Sequence, residues 1–111
     1  MLKGSPGEER TLHGRAGGDV VVQCSFAPSE SRKYFCRNPC EDNLAETDSE
    51  KVQKGRYSIE FIQGNSAAFL YVSISQLDTS DSGQYRCIVG TPPTYVYIEF
   101  ELVVRGGEFP V

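Results

Sequence analysis

Cys24 and Cys87 lie on the apolar faces of two alternating stretches, 63 positions apart in a chain of 111 residues. In residues 19–26, Val20, Val22, Cys24 and Phe26 share one side, and Val21, Gln23 and Ser25 share the other. In residues 83–89, Tyr85, Cys87 and Val89 oppose Gln84, Arg86 and Ile88. Successive side chains of a strand point to opposite faces, so both sulfurs point into one interior. A bridge between two facing sheets accommodates that. On the chain-entropy model, closing so long a loop stabilises the fold by roughly 4 kcal/mol.

The same period of two recurs elsewhere, broken by Gly, Pro, Asn, Asp and Ser. In 56–62 the core face is Tyr57, Ile59 and Phe61; in 69–74 it is Leu70, Val72 and Ile74. In 95–104 it is Ile98, Phe100, Leu102 and Val104, with Glu99 and Glu101 toward water. No helical stripe and no internal repeat is present. Many short strands of this kind predict an all-β sandwich of two antiparallel sheets. Residues 37–54 are acidic and poor in aliphatics. They read as a loop-rich edge with one or two short strands, whose charge discourages edge-to-edge pairing.

The second cysteine pair follows by parity. If Phe35 faces inward, its neighbour Cys36 faces outward, and Cys40 follows in a turn after Pro39. A Cys36–Cys40 bridge closes a very short loop, worth roughly 2 kcal/mol, and serves as a surface staple for that turn. Four cysteines in so small an acidic domain imply an oxidising compartment. Met1 to Gly7 lacks the apolar core of a signal peptide, so the chain reads as a mature fragment. Residues 1–9 are expected to be a terminal extension or linker, 10–105 the domain, and 106–111 the start of a stalk. No apolar run approaches the roughly 20 residues that span a bilayer, so membrane attachment is expected through a segment outside this fragment.

The run Asp81-Ser-Gly83-Gln-Tyr85-Arg-Cys87 resembles the Asp-x-Gly-x-Tyr-x-Cys motif of immunoglobulin variable-type (V-set) domains. The resemblance extends over about residues 10 to 105. It implies a tyrosine corner at Tyr85, an ion pair between Arg56 and Asp81, and a core leucine at Leu77. Lys33-Tyr34-Phe35-Cys36-Arg37, with Cys40 nearby, is similar to a Lys-Tyr-Trp-Cys-Lys stretch of leukocyte receptors. That group includes the polymeric immunoglobulin receptor, the CMRF-like molecules and the triggering receptors of myeloid cells. Fish immune-type receptors of the novel ITAM-containing Ig-like transcript kind share the plan. Phe35 stands where that group carries its core Trp, which accounts for a chain without tryptophan.

The resemblance implies an ectodomain of a cell-surface immune receptor, on the extracellular face of the plasma membrane or in a secreted form, binding a protein or lipid ligand as a monomer. It also names the surfaces. One is the outer face of the sheet that holds residues 33–37, 83–89 and 95–104, where parity places Tyr34 and Tyr97. The other is a cluster of three loops at one end: residues 27–32 with Ser29, Glu30 and Arg32; roughly 46–49; and 90–95 with Thr91, Pro92, Pro93, Thr94 and Tyr95. Exposed tyrosines give large contact area at low entropy cost, and prolines reduce the ordering cost of binding. Two alternatives stand beside protein recognition: capture of an anionic phospholipid headgroup, with or without calcium, and immunoglobulin binding or transport.

Other chemistry finds little footing. A net charge of −4 and a pI near 4.9 disfavour nucleic acid. The single histidine, His13, has no nucleophile placed for it by any motif, and no enzyme is expected. Cys36-x-x-x-Cys40 would need two further ligands to hold zinc. The acidic stretch lacks the spacing of a 12-residue calcium loop. No catalytic residue, metal or cofactor is expected.

Overall fold

The computed structural model describes residues 10–28, 32–91 and 93–106. Among the described residues, nine strands and one short 3-10 turn follow in order: β1 (Arg10–Arg15), β2 (Val20–Phe26), β3 (Lys33–Arg37), β4 (Asn43–Thr47), β5 (Lys51–Lys54), β6 (Tyr57–Gln63), β7 (Ala68–Ile74), the turn (Thr79–Asp81), β8 (Gly83–Thr91) and β9 (Thr94–Arg105). They form a five-stranded sheet, β1-β9-β8-β3-β4, facing a four-stranded sheet, β2-β7-β6-β5. All neighbours are antiparallel except β1 and β9, which run parallel from Arg10 beside Phe100 to Arg15 beside Arg105. The acidic 37–54 region supplies β4 and β5, one at an edge of each sheet.

The inward faces are those set by alternation. Val22 and Cys24 of β2, Ile59 of β6, Leu70, Val72 and Ile74 of β7, and Tyr85 and Cys87 of β8 are buried, as are Phe100 and Leu102 of β9. The Cys24–Cys87 bridge joins the two sheets. Phe35 fills the middle and is fully buried. Its ring stacks 5.6 Å from Tyr85 and 6.2 Å from Phe100, and meets Tyr57 edge-on at 6.2 Å. Aromatic pairs at these separations add to plain area burial.

The lower corner of the sandwich is tied by Asp81. Arg56 reaches it through Nη1 and Nη2 at 2.9 and 3.0 Å. The Tyr85 hydroxyl donates to the Asp81 carbonyl at 2.5 Å. Asp78 and Asp81 cap the 3-10 turn reciprocally. The hydrogen bonds from Arg56 hold the Asp81 carboxyl below its ordinary range. Burial pushes the Tyr85 phenol up to about 12.

Three expectations change. Cys36 does face the outer side, but it is fully covered, because the turn carrying Cys40 folds over it. Glu46 and Thr47 belong to β4, which narrows the second loop to 48–50. Residues 90–95 are not an open loop. Gly90 pairs with Tyr95 and Thr91 with Thr94, so the ladder of β8 and β9 continues to Thr91 and Thr94. Gly90 permits this: its φ is +139°, and a Cβ there would lie 2.6 Å from the Thr94 carbonyl.

Candidate functional site

Register lays the outer face of the five-stranded sheet out as rungs. Glu46, Tyr34, Ile88 and Tyr97 lie side by side across β4, β3, β8 and β9. The next rung is Asn43, Cys36, Arg86 and Glu99. On the other side, Tyr95 sits opposite Gly90 across the hairpin. The twist of the sheet and the rise of the hairpin turn these rungs into a concavity of about 390 Å³. That is within the size range of pockets that hold small groups.

Three tyrosines line it beside Ile88, and Arg86 and Asn43 supply its guanidinium and amide groups. Tyr34 and Tyr95 meet edge to face at 5.8 Å. Tyr97 is half exposed at 49% and lies under the Arg86 guanidinium, 4.3 Å from the ring centre. Arg86 also approaches Glu99 at 3.4 Å, and Asn38 Nδ2 donates to the same carboxylate oxygen at 2.8 Å. Asn43 Nδ2 donates to Glu46 at 2.7 Å. The Cys36–Cys40 staple and Pro93 complete the rim. Burial raises the Tyr34 phenol, with Tyr95 beside it as the next cause.

The structure thus brings Tyr34, Tyr95, Tyr97 and Pro93 into one surface. Arg32 lies at its edge, 5.9 Å from the Tyr34 ring centre, held by Glu46 and Asp48 at 3.3 Å each. Thr91 and Thr94 are exposed at the hairpin tip, where the Thr94 hydroxyl donates to the Thr91 carbonyl. Ser29, Glu30 and Pro92 lie outside the described residues. The structural residues Arg56, Asp81, Tyr85 and Phe35 are at the corner and in the core, away from this face.

Sequence reasoning passed over Asn43 and Lys33. Asn43 gave no signal, because the β3–β4 register slips by one residue between Phe35 and Cys36. Lys33 was readable: it shares the parity of Phe35. It is 4% exposed, with its ammonium 4.5 Å above the Phe61 ring. Desolvation lowers its pKa, opposed by Asp48 and Glu50.

A second, shallower groove of about 250 Å³ lies between Phe26, Ala27 and Pro28 and the hairpin, floored by Val89 and Val96. Val96 is 59% exposed there, although it has the inward parity of β9. Among the described residues, no group of three or more His, Cys, Asp or Glu converges as metal ligands, and no helix is long and apolar enough to cross a membrane.

The family model for the immunoglobulin V-set domain matches residues 7–105. The chain is 30% identical over 115 residues to the High affinity immunoglobulin alpha and immunoglobulin mu Fc receptor of Pongo abelii, covering 96% of this chain and 20% of that receptor. It is 32% identical over 92 residues to the Polymeric immunoglobulin receptor of Rattus norvegicus, covering 75% of this chain and 12% of that receptor. It therefore spans a fifth or less of the length of either receptor. Among solved structures, Tim-2 superposes with a TM-score of 0.73 at 20% identity, covering 94% of this chain and 98% of that one. The inter-sheet bridge between Cys24 and Cys87, the Arg56–Asp81 pair and the Tyr85 corner are the internal counterpart of that match, and the chain belongs to the immunoglobulin V-set family.

Proposed function

We propose that this domain is the non-catalytic ligand-recognition part of a cell-surface immune receptor, displayed on the extracellular face of the plasma membrane through a segment outside this fragment. The observation that carries the reading is the concavity walled by Tyr34, Tyr95 and Tyr97 in the middle of an otherwise ordinary sheet. Tyrosines at such a surface supply rigid amphipathic contact area and hydrogen-bonding tips at low entropy cost. The kinship with receptor ectodomains and the two disulfides support placement outside the cell.

The ligand we favour is a protein. The names of two relatives, an Fc receptor and the polymeric immunoglobulin receptor, favour one specific reading, capture of an immunoglobulin. The test is a binding screen of the folded domain against polymeric immunoglobulin, cell-surface proteins and anionic phospholipid vesicles with and without calcium. Any ligand found is then measured against Tyr34→Ala, Tyr95→Ala and Tyr97→Ala. Losses of tenfold or more at these positions support the reading. Unchanged affinity for all three removes this face from recognition.

A further inference from the structure

We propose that the Cys36–Cys40 bridge is a thiol-exchange site: a dithiol reductant opens it on the folded domain, and the wall of the concavity relaxes. As a means of regulating recognition this rests on reading the face as the ligand surface; as chemistry it does not. The two bridges stand in opposite settings. Cys24 and Cys87 are fully buried between the sheets and lie 63 positions apart. Cys36 and Cys40 lie four positions apart, and Cys40 is partly exposed at the concavity. Exchange needs a thiolate to reach a sulfur, so access separates a labile bridge from an inert one. Loop length acts in the same direction. Opening so short a loop returns little chain entropy to the unfolded state, so the domain stays folded without the staple.

Access also fixes which sulfur is attacked. Cys36 is fully covered, so an incoming thiolate meets the Cys40 Sγ. A bond forms between that sulfur and the incoming one, and the Cys36–Cys40 bond breaks. Cys36 leaves with the electron pair and takes a proton from water. The second thiolate of the reductant then attacks its own partner sulfur in the mixed disulfide, and Cys40 leaves and is protonated. The protein gains two electrons and two protons, and the dithiol ends as its internal disulfide.

The turn is built to move once the bridge opens. Cys40 has a φ of +61°, a left-handed conformation that residues with a side chain rarely adopt. The same turn carries Asn38, whose Nδ2 donates to Glu99 at 2.8 Å. Glu99 holds Arg86 at 3.4 Å, and Arg86 lies 4.3 Å from the Tyr97 ring centre. A relaxed turn withdraws the Asn38 amide, and the series of contacts that ends on the Tyr97 ring loosens.

The test treats the folded domain with dithiothreitol, quenches with an alkylating reagent and maps the labelled cysteines by mass spectrometry. NMR follows the ring of Tyr97, with Tyr71 on the outer face of the other sheet as the control. Cys36 and Cys40 are expected to label about tenfold faster than Cys24 and Cys87, or more, while the domain remains folded. The melting temperature is expected to fall by about 10 °C. The Tyr97 ring should shift, the Tyr71 ring should not, and reoxidation should restore the first spectrum. Cys36→Ala combined with Cys40→Ala should show the Tyr97 shift without reductant. Labelling of all four cysteines together, or of none until the domain unfolds, overturns the exchange site. Selective labelling with an unmoved Tyr97 ring overturns its coupling to the concavity. Selective labelling with the Tyr97 shift supports the site even where Tyr34→Ala, Tyr95→Ala and Tyr97→Ala leave ligand affinity unchanged, a result that removes only the reading of this face.

Discussion

The Arg86 guanidinium lies 4.3 Å above the ring of Tyr97, on the adjacent strand and one register step away. The stack leaves Tyr97 half exposed, and it orients the ring as a wall of the concavity. A side chain this exposed contributes little to folding, whereas a central aromatic anchor dominates binding. Tyr97→Ala is therefore expected to change unfolding free energy by about 0.5 kcal/mol or less. The same variant is expected to lose tenfold or more in ligand affinity. Chemical denaturation and surface binding read the two effects separately.

The corner behaves oppositely. Asp81 is buried, with 6% side-chain exposure, and it receives two hydrogen bonds from Arg56. Removing one partner of such a pair leaves the other uncompensated. Asp81→Ala is expected to destabilise by roughly 3 kcal/mol, the low end for a buried pair, because Arg56 is about one-third exposed. Ligand affinity at saturating folded fraction should be unchanged.

The same carboxylate gives the fold an acid dependence with a definite sign. Its folded pKa lies below the ordinary 3.8, so the unfolded chain binds more protons in that range. The stabilisation is present above the ordinary value and is lost as pH falls from about 3.8 through the depressed folded value. Denaturation midpoints followed from pH 6 down to pH 2 should drop more steeply for the native sequence than for Asp81→Asn.

Gly90 is expected to matter for shape beyond its size. Its φ of +139° is strained for any side chain, and an added Cβ would sit 2.6 Å from the Thr94 carbonyl. Gly90→Val should cost about 1–3 kcal/mol and pull the Tyr95 end of the hairpin out of register. Faster amide exchange at Thr91, Thr94 and Tyr95, with β2 and β7 unaffected, is the expected signature.

Phe35 occupies a space closed by Tyr57, Tyr85 and Phe100, all with ring centres within 6.2 Å. The leukocyte receptors that this stretch resembles carry Trp there. Phe35→Trp is nonetheless expected to destabilise, by about 1–3 kcal/mol, because the core is filled around the smaller ring. Thermal unfolding of the single variant checks it.

Much of this architecture was legible because β-sandwich cores obey parity. Each of Cys24, Leu70, Val72, Tyr85, Cys87, Phe100 and Leu102 could be placed inward from its neighbours alone, and each is buried. Tyr34 and Tyr97 were legible for the same reason, read from the opposite face, whereas Tyr95 was expected in a loop and lies in the ladder. Parity says nothing about how far a ladder continues or what lies over a side chain. The hairpin runs on through Thr91 and Thr94 because Gly90 adopts a conformation that Thr-Pro-Pro-Thr does not announce. Cys36 points outward yet is covered, because a turn four residues on folds over it. Asn43 reaches the concavity through a bulge between Phe35 and Cys36 that shifts the register of β4.

The central claim is that ligand recognition falls on the outer face of the five-stranded sheet. Its most direct test is hydrogen-exchange mapping of the domain with and without a captured ligand. Protection concentrated at Tyr34, Ile88 and Tyr95 to Tyr97, with the outer face of β2, β7 and β6 unchanged, is the expected result. Protection confined to the β2-β7-β6 face, with β3, β8 and β9 exchanging as in the free domain, would contradict it.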